Sequence, residues 1–157
     1  MNRHEEFMAY AIKLSIDNVT SGNGGPFGAV ITKDDTIIAY GANQVTASND
    51  PTAHAEIVTI RQACGILKNF HLTGCTLYTS CEPCPMCFGA IYFAHLDTVY
   101  YANTKADAQS VGFDDEFIYD QIIREHLSRT IPMKQLMRSQ ASVAMNLWQQ
   151  STHKIKY

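Results

Sequence analysis

The sequence contains no apolar run long enough to cross a membrane and no excess of positive charge. A membrane span needs roughly 18 consecutive apolar residues, and the polar start, residues 1–6, lacks the features of a signal peptide. The 12 Lys and Arg residues are outnumbered by 15 Asp and Glu, which gives a net charge of −3, so the bulk positive field of a nucleic-acid-binding protein is missing. We therefore expect a cytoplasmic protein with a small-molecule partner and no membrane or nucleic-acid partner.

The sequence also lacks the even cysteine set of a disulfide-bonded secreted scaffold. It has five cysteines, and Cys84 and Cys87 lie too close together to pair as such scaffolds do, so the cysteines indicate a metal site. Internal repeats and low-complexity segments are likewise absent. With 157 residues, of which 46% are hydrophobic, the chain is predicted to form one domain over residues 1–157 with its own core.

Hydrophobic periodicity and turn residues predict alternating helices and strands. The predicted helices cover residues 3–20, 51–67, a stretch that begins at Pro85, about 112–127, and a final stretch that begins at Met137. The predicted strands cover residues 26–31, 36–40, 75–79, 97–101 and 130–137. Such alternation is typical of an α/β sandwich.

Two short segments carry side chains that bind zinc. His54 and Glu56 lie in one of them, and Cys84 and Cys87 follow about thirty residues later. A catalytic zinc commonly has three N or S ligands from the protein and an open fourth position, which His54, Cys84 and Cys87 would provide. Glu56 is two residues, or about 200° of helical rotation, from His54, so it is predicted to flank the metal and move protons. The helix start at Pro85 would lower the pKa of both thiols.

A second interpretation of the same residues is a structural zinc site. Cys81 forms another C-x-x-C with Cys84, so three thiols and His54 could close the coordination of the metal. Because Pro83 separates Cys81 from the face that Cys84 and Cys87 share, we favour the catalytic site and predict that Cys81 is a buried thiol at a strand end. A non-catalytic, zinc-stapled binding module would have four protein ligands and would tolerate the loss of Glu56.

The pattern H-x-E followed by P-C-x-x-C is the signature of zinc-dependent nucleobase deaminases. Binding to zinc lowers the pKa of water from about 15.7 to about 7. Glu56 would accept the released proton, deliver it to a ring nitrogen, and pass a second proton to the departing amine. The products would be a ring carbonyl and ammonia.

Through these two motifs the chain resembles the cytidine/deoxycytidylate deaminase superfamily. Other segments are similar to the bacterial guanine deaminases of this superfamily, namely residues 25–30, 48–54, 77–83 and 112–115. The likeness runs from about residue 5 to Tyr157. It implies hydrolysis of guanine to xanthine and ammonia in purine catabolism or salvage, with one Zn²⁺ per chain. It also implies a three-layer α/β/α sandwich with a central five-stranded mixed sheet, and a homodimer whose C-terminal segments can be exchanged between subunits.

The same resemblance assigns substrate-binding roles to five residues. Asn43 is similar to the polar contact to the purine and Phe27 to a residue that packs on the ring. Phe113 and Asp115 are similar to pocket residues, and Tyr157 to the C-terminal aromatic residue that folds over the ligand. From the residue types alone, Asn43 also suits a turn and Asp115 the first turn of a helix.

Other substrates remain open. One branch of the superfamily acts on adenosine in tRNA, and from Arg124 onward the chain holds six basic residues and one acid. The acidic segment 112–116 and the net charge of −3 oppose RNA binding, and loss of activity with added salt would reveal it. Guanosine, cytosine and amino-triazines are small rings that the same chemistry permits.

Overall fold

Four strands form one mixed sheet in the computed structural model, which describes residues 2–157. The strands are β1 (Gly28–Lys33), β2 (Thr36–Ala42), β3 (Cys75–Cys81) and β4 (Thr98–Asn103), in the spatial order β2-β1-β3-β4. Strand β1 is antiparallel to both β2 and β3, whereas β3 and β4 are parallel. The α/β class and the mixed sheet are thus confirmed.

The predicted fifth strand over residues 130–137 is wrong, because that segment has no regular secondary structure. Its backbone groups bond to the preceding turn and helix instead of to a strand. Thr130 N donates to Gln121 Oε1 at 2.8 Å and Met133 N donates to the His126 carbonyl at 3.0 Å, while Pro132 has no N–H to offer a ladder. The apolar side chains of this segment suit a strand, but strand formation depends on a partner edge.

The helices are α1 (Arg3–Thr20), α2 (Val45–Ser48), α3 (Ala55–Leu67), α4 (Pro85–Phe93), α5 (Lys105–Ser110), α6 (Glu116–Ile123) and α7 (Arg138–Gln150), with a 3₁₀ turn at His126–Ser128. The prediction of α1 is confirmed to the residue, with a capping box between Asn2 and Glu5 at its start. The short helices α2 and α5 were not predicted, since neither is long enough to show a helical period. No helix among the described residues has the length and apolar character that a membrane crossing requires.

Helix α3 begins four residues later than predicted. The predicted helix starts at Pro51, but the carboxylate of the preceding Asp50 accepts hydrogen bonds from the backbone N–H and hydroxyl of Thr52. This local turn keeps Pro51 outside the helix. His54 is the N-cap, with extended backbone angles of φ −65° and ψ 156°, and Glu56 lies in the first turn.

The sheet separates two apolar layers because successive side chains of a strand point to opposite faces. On one face, Ile31 of β1 and Leu77 of β3 pack with residues of α3 and α4. On the other face, Val30 and Tyr78 pack with Phe7 of α1. The helices on the two faces give the three-layer α/β/α arrangement.

The chain divides into two compact units, residues 2–115 and Glu116–Tyr157. The first unit contains the whole sheet and helices α1 to α5. The second contains α6, the 3₁₀ turn and α7, and none of its residues is buried. A single domain over residues 1–157 stays a prediction.

Candidate active site

Two helix N-termini bring the predicted metal ligands together. His54 caps α3 and Cys84 caps α4, whose first residue is Pro85. Cys87 lies in the first turn of α4, and its backbone N–H donates to Cys84 Sγ at 3.5 Å. His54 Nδ1 is 3.5 Å from Cys84 Sγ and 3.6 Å from Cys87 Sγ, and the three ligand atoms lie within 4.8 Å of one another.

These distances fit zinc. Tetrahedral zinc bonds of about 2.1 Å to nitrogen and about 2.3 Å to sulfur separate the N and S atoms by about 3.6 Å. The nitrogen-to-sulfur distances of 3.5 and 3.6 Å agree with that geometry. One imidazole and two thiols supply three ligands, which leaves a fourth position open, as in catalytic zinc sites.

Cys81 is placed away from this cluster. It is buried at the end of β3, as predicted, and its Sγ lies 3.6 Å from the carbonyl oxygen of Thr104. Burial raises the pKa of the Cys81 thiol to about 11. Within the described part of the chain, the cluster that suits a metal contains His54, Cys84 and Cys87 and does not contain Cys81. This placement argues against the structural site with four ligands.

The two clustered thiols differ in their tendency to ionise. The Cys87 thiol and the His54 ring hydrogen-bond to Cys84 and hold its pKa at about 4, despite burial. The pKa of Cys87 is raised, because its proton is shared with Cys84 and because it is buried. The hydrogen bond to Cys84 also raises the pKa of His54. The cluster thus favours one thiolate, and a divalent cation favours a second by displacing the remaining proton.

Glu56 is the buried acid of this region, with 6% of its surface exposed. The Thr79 hydroxyl donates to Glu56 Oε1 at 3.2 Å, and Cys87 Sγ lies 3.5 Å from Oε2. Burial raises the pKa of the Glu56 carboxyl. A raised pKa suits a carboxylate that accepts a proton and returns it near neutral pH.

A cavity of about 370 Å³ adjoins the cluster. His54, Glu56 and Cys84 line it. Four of the five residues predicted to bind substrate also line it, namely Phe27, Asn43, Phe113 and Asp115. The structure therefore brings together residues that span almost ninety positions of the sequence.

No Lys or Arg is among the described residues that line the cavity, whereas Glu82 and Asp115 add two carboxyl groups to its wall.

Two aromatic rings form an apolar wall of the cavity. Phe27 and Phe113 pack edge to face, with ring centroids 4.9 Å apart and an interplanar angle of 83°. Gly25 lies against both rings, and a Cβ at this position would be 3.3 Å from the Phe27 ring. An edge-to-face pair presents one ring face and one ring edge, which suits contact with a flat heterocycle.

Asn43 is anchored at both its backbone and its side chain. Its N–H donates to the Phe27 carbonyl at 3.0 Å, and its Oδ1 accepts from Val45 N at 3.2 Å. The side-chain NH₂ group is then the half of the amide that remains for a ligand. Asn43 is 7% exposed, so its NH₂ group is shielded from water. The two hydrogen bonds above also fix its orientation.

Asn18 was not identified as a site residue from the sequence. Its side-chain NH₂ donates to the carbonyls of Gly25 at 2.8 Å and of Asn43 at 3.0 Å, which ties together two segments that line the cavity. Asn18 is 8% exposed and lies eleven residues after Phe7 on the buried face of α1. In the sequence, a polar residue at a core-facing position of this helix is the feature that could have indicated its role.

Asp115 and Tyr157 lie in different units of the structure. Asp115 immediately precedes α6. Burial raises the pKa of its carboxyl, and the negative charge of nearby Cys84 raises it further. Tyr157 is the last residue of the C-terminal unit and is 84% exposed. The role of Tyr157 over a ligand stays a prediction.

Glu82 supports the cavity wall from beside the metal cluster. Its Oε2 accepts a hydrogen bond from Lys105 N at 3.0 Å, and its own N–H donates to the Asn103 carbonyl at 2.8 Å. Glu82 thereby holds the start of α5, the helix whose Ala108 also lines the cavity.

Comparison with known proteins gives matches over all or part of the chain. Residues 1–103 match the model of the cytidine and deoxycytidylate deaminase zinc-binding region. That match contains His54, Glu56, Cys84 and Cys87 and ends before Phe113, Asp115 and Tyr157.

Guanine deaminase from Bacillus subtilis (strain 168) is 50% identical over 154 residues, which cover 98% of this chain and 99% of that protein. Its X-ray structure superposes with a TM-score of 0.96 and covers 100% of this chain and 99% of that one. The similarity therefore includes the C-terminal unit.

Two further relatives match a smaller part of the chain. A tRNA-specific adenosine deaminase from Buchnera aphidicola subsp. Schizaphis graminum is 35% identical over 112 residues, or 71% of this chain and 74% of that protein. The structure of guanine deaminase from Nitrosomonas europaea is 34% identical, with a TM-score of 0.66, and covers 69% of this chain and 63% of that one.

Proposed function

Because the chain belongs to the cytidine and deoxycytidylate deaminase zinc-binding family, we propose that it hydrolyses guanine to xanthine and ammonia. It is a zinc-dependent hydrolase of that family. The observation that carries the choice of guanine is the 50% identity to a guanine deaminase over 99% of that protein's length. Its place would be in purine catabolism or salvage, and the cytoplasmic location suggested by the sequence stays a prediction.

His54, Cys84 and Cys87 hold one zinc ion in this proposal, through one nitrogen and two sulfur atoms. The match between the distances in the cluster and tetrahedral zinc bonding supports this ligand set. When bound, zinc supplies Lewis acidity that makes a water molecule nucleophilic at neutral pH. Its ligands also fix where the reaction takes place, at the wall of the cavity.

Glu56 moves the protons of the reaction. Its carboxylate accepts a proton from water as the C–O bond forms at the carbon that bears the 2-amino group of guanine, and it delivers that proton to a ring nitrogen. The second proton of the water passes by way of Glu56 to the departing amine as the C–N bond breaks. One guanine and one water thus give one xanthine and one ammonia, and Glu56 returns to its initial state.

The cavity walls supply contacts that suit a purine base. Phe27 and Phe113 pack on the flat ring, and the NH₂ group of Asn43 donates to a ring acceptor. The Asp115 carboxylate accepts hydrogen bonds from ring N–H groups. A base in the cavity would meet both apolar and polar lining residues, as is usual for small-molecule sites. Tyr157 would cover the ligand and exclude water.

The charge of the cavity favours an uncharged base over a nucleotide or tRNA. Two carboxylates, Glu82 and Asp115, line it together with Glu56, and no basic side chain does so among the described lining residues. A phosphate would meet repulsion there without a compensating cation. The tRNA-specific relative also matches only 71% of this chain.

Ammonia release tests the substrate. The zinc-loaded protein should release ammonia from guanine at a higher kcat/KM than from guanosine, cytosine, an amino-triazine or tRNA. Preference for any of these competitors would overturn guanine as the substrate, and activity on tRNA that falls steeply with salt would assign the enzyme to RNA. Failure to deaminate any of them, with one zinc bound per chain, would favour the non-catalytic module.

Asp115→Ala should lower kcat/KM for guanine by roughly 10- to 100-fold and leave the zinc content at one per chain. The expected loss is that of hydrogen bonds to one carboxylate, about 1.5 to 3 kcal/mol. The neighbouring, exposed Asp114 is the matched control, and Asp114→Ala should retain wild-type kinetics. Wild-type turnover by Asp115→Ala with full zinc would remove Asp115 from the substrate site.

We also propose that the protein is a homodimer whose C-terminal segments can be exchanged between subunits. The C-terminal unit has no buried residue, although it carries many large apolar side chains. Those more than half exposed include Ile122, Ile123, Leu127, Ile131, Met133, Leu136, Val143, Met145, Leu147 and Ile155. An apolar surface of this extent is typical of an interface between proteins. Light scattering should give twice the chain mass of 17.5 kDa.

Deleting Lys156 and Tyr157 should lower kcat/KM by about tenfold, the value of one or two contacts to the ligand. The thermal midpoint should change little, because both deleted residues are exposed. Lys156→Ala, which retains Tyr157, is the control and should behave as wild type. Unaltered kinetics after the deletion would show that the C-terminus does not cover the substrate.

A further inference from the structure

The hydroxyl of Thr79 is a buried polar group to which neither zinc-binding motif nor the family resemblance assigns a role. It donates a hydrogen bond to Glu56 Oε1 at 3.2 Å. Both residues are buried, Thr79 to 99% and Glu56 to 94%, since their exposed fractions are 1% and 6%. A buried hydrogen bond to a carboxylate is stronger and more directional than one at the surface.

Zinc bound to Cys87 would change the partners of Glu56. In the structure, Cys87 Sγ lies at hydrogen-bond distance, 3.5 Å, from Glu56 Oε2. A cysteine that ligates zinc does so as a thiolate and therefore has no proton to donate. With zinc bound, Cys87 would therefore no longer donate a hydrogen bond to the carboxylate. The Thr79 hydroxyl keeps its proton whether or not a metal is bound, and so remains as a side-chain donor to Glu56.

Thr79 is itself held rigidly. It lies in β3, with strands paired on both sides, opposite Ala29 of β1 and Tyr101 of β4. Its side chain points to the same face as Leu77 and Cys75, toward α3, because alternate residues of a strand share a face. A β-branched side chain in a central strand has few accessible rotamers. The donor is therefore fixed by the sheet, and the acceptor by the first turn of α3.

We propose that Thr79 is a positioning residue for the deaminase reaction, one that holds Oε1 of Glu56 so that Oε2 faces the reacting groups. A carboxylate that shuttles protons must keep one oxygen within hydrogen-bond reach of each proton in turn. Free rotation of the carboxyl group would spread the two oxygens over several orientations. Anchoring one oxygen removes that freedom before the substrate arrives. This inference rests on the proposed role of Glu56.

The test compares the kinetics of guanine deamination in three variants. Thr79→Val replaces the hydroxyl by a methyl group of similar size and should lower kcat by about tenfold, with KM within about twofold of wild type and one zinc per chain, as for the loss of one hydrogen bond. Thr79→Ser, which keeps the hydroxyl, should restore most of kcat. Thr79→Ala should match Thr79→Val, since both lack the donor, and it keeps the test available if the valine variant does not fold.

Thr32→Val is the matched control. Thr32 is a buried threonine of β1, 4% exposed, and it shares a face of the strand with Val30, on the α1 side of the sheet. The same chemical change there should leave both kcat and KM unaltered. A loss of kcat in Thr32→Val equal to that in Thr79→Val would attribute the effect to the sheet in general and overturn the proposal.

The outcomes separate this inference from the proposed function. An inactive wild-type enzyme, or a fully active Glu56→Gln variant, would overturn the proposed function itself. If the wild type is active and Glu56→Gln is not, an unchanged kcat in Thr79→Val would overturn the role of Thr79 alone. Loss of zinc from Thr79→Val, or a change confined to KM, would also overturn it, because neither is expected from misplacement of a proton shuttle.

Discussion

Glu56→Gln is expected to lower the rate of ammonia release from guanine by at least about 10²- to 10⁴-fold, the usual contribution of a general acid or base. The loss should lie toward the upper end of that range or beyond it, because Glu56 moves more than one proton in each turnover. Glutamine has nearly the same size and can still accept the hydrogen bond from Thr79, but it cannot take up a proton. The measurement is kcat under saturating guanine, with zinc content determined on the same sample.

The zinc content should stay at one per chain, since Glu56 is not among the three clustered ligands. Glu82→Gln is the matched control, because Glu82 is a second carboxylate at the same cavity and bonds to the start of α5. We expect this variant to retain most of the activity. An equal loss in both variants would assign the effect to the negative charge of the cavity, and full activity of Glu56→Gln would exclude the proton shuttle.

Cys87→Ser is expected to remove both zinc and activity, the second large effect. The hydroxyl of serine is a far poorer zinc ligand than a thiolate, because it does not ionise near neutral pH. Two ligands, His54 and Cys84, are too few to retain the ion. Metal analysis after dialysis against a weak chelator should find substoichiometric zinc, and the deaminase rate should fall in proportion to the zinc lost.

Cys81→Ser distinguishes a catalytic from a structural metal site. Cys81 is buried outside the cluster, and its Sγ lies 3.6 Å from the Thr104 carbonyl oxygen. A site with three protein ligands predicts full zinc in this variant and activity close to wild type. Zinc loss from Cys81→Ser as severe as that from Cys87→Ser would show that the cysteine is a fourth ligand, and the open position required for catalysis would not exist.

The Glu56→Gln and Cys87→Ser experiments together assign proton transfer and metal binding to different residues. Glu56→Gln should leave the metal in place and stop turnover, whereas Cys87→Ser should remove the metal. Such a division is expected when one group binds the ion and another moves protons. The two residues are in contact, with 3.5 Å between Cys87 Sγ and Glu56 Oε2, so zinc content is measured in both variants.

The sequence predictions fail where the backbone conformation depends on a side-chain hydrogen bond or on the presence of a partner strand. Asp50 and Pro51 suit the start of a helix, but the Asp50 carboxylate bonds to Thr52 and forms a turn, so α3 begins at Ala55. Residues 130–137 suit a strand, but their backbone bonds to the preceding turn. In each case the residue types permit two local structures, and a specific hydrogen-bond partner selects one of them.

The sequence by itself determined the donor set of the metal site. Cys84 and Cys87 are three residues apart at a helix that Pro85 starts, and this spacing places both thiols on one side of the first turn through short-range geometry alone. The motif around His54 and Glu56 likewise identified the imidazole and the carboxylate. Local sterics and backbone hydrogen bonding govern such features, so they can be inferred from neighbouring residues.

Only the tertiary structure decided which distant groups meet. The approach of His54 to within 3.6 Å of both thiols, the exclusion of Cys81 from the cluster and the hydrogen bond from Thr79 to Glu56 depend on how β3 is placed against α3 and α4. The register that pairs Ala29 with Thr79 is set by the packing of the whole sheet between its two helical layers. No short segment contains that information, because a shift of one residue would turn the Thr79 side chain to the other face.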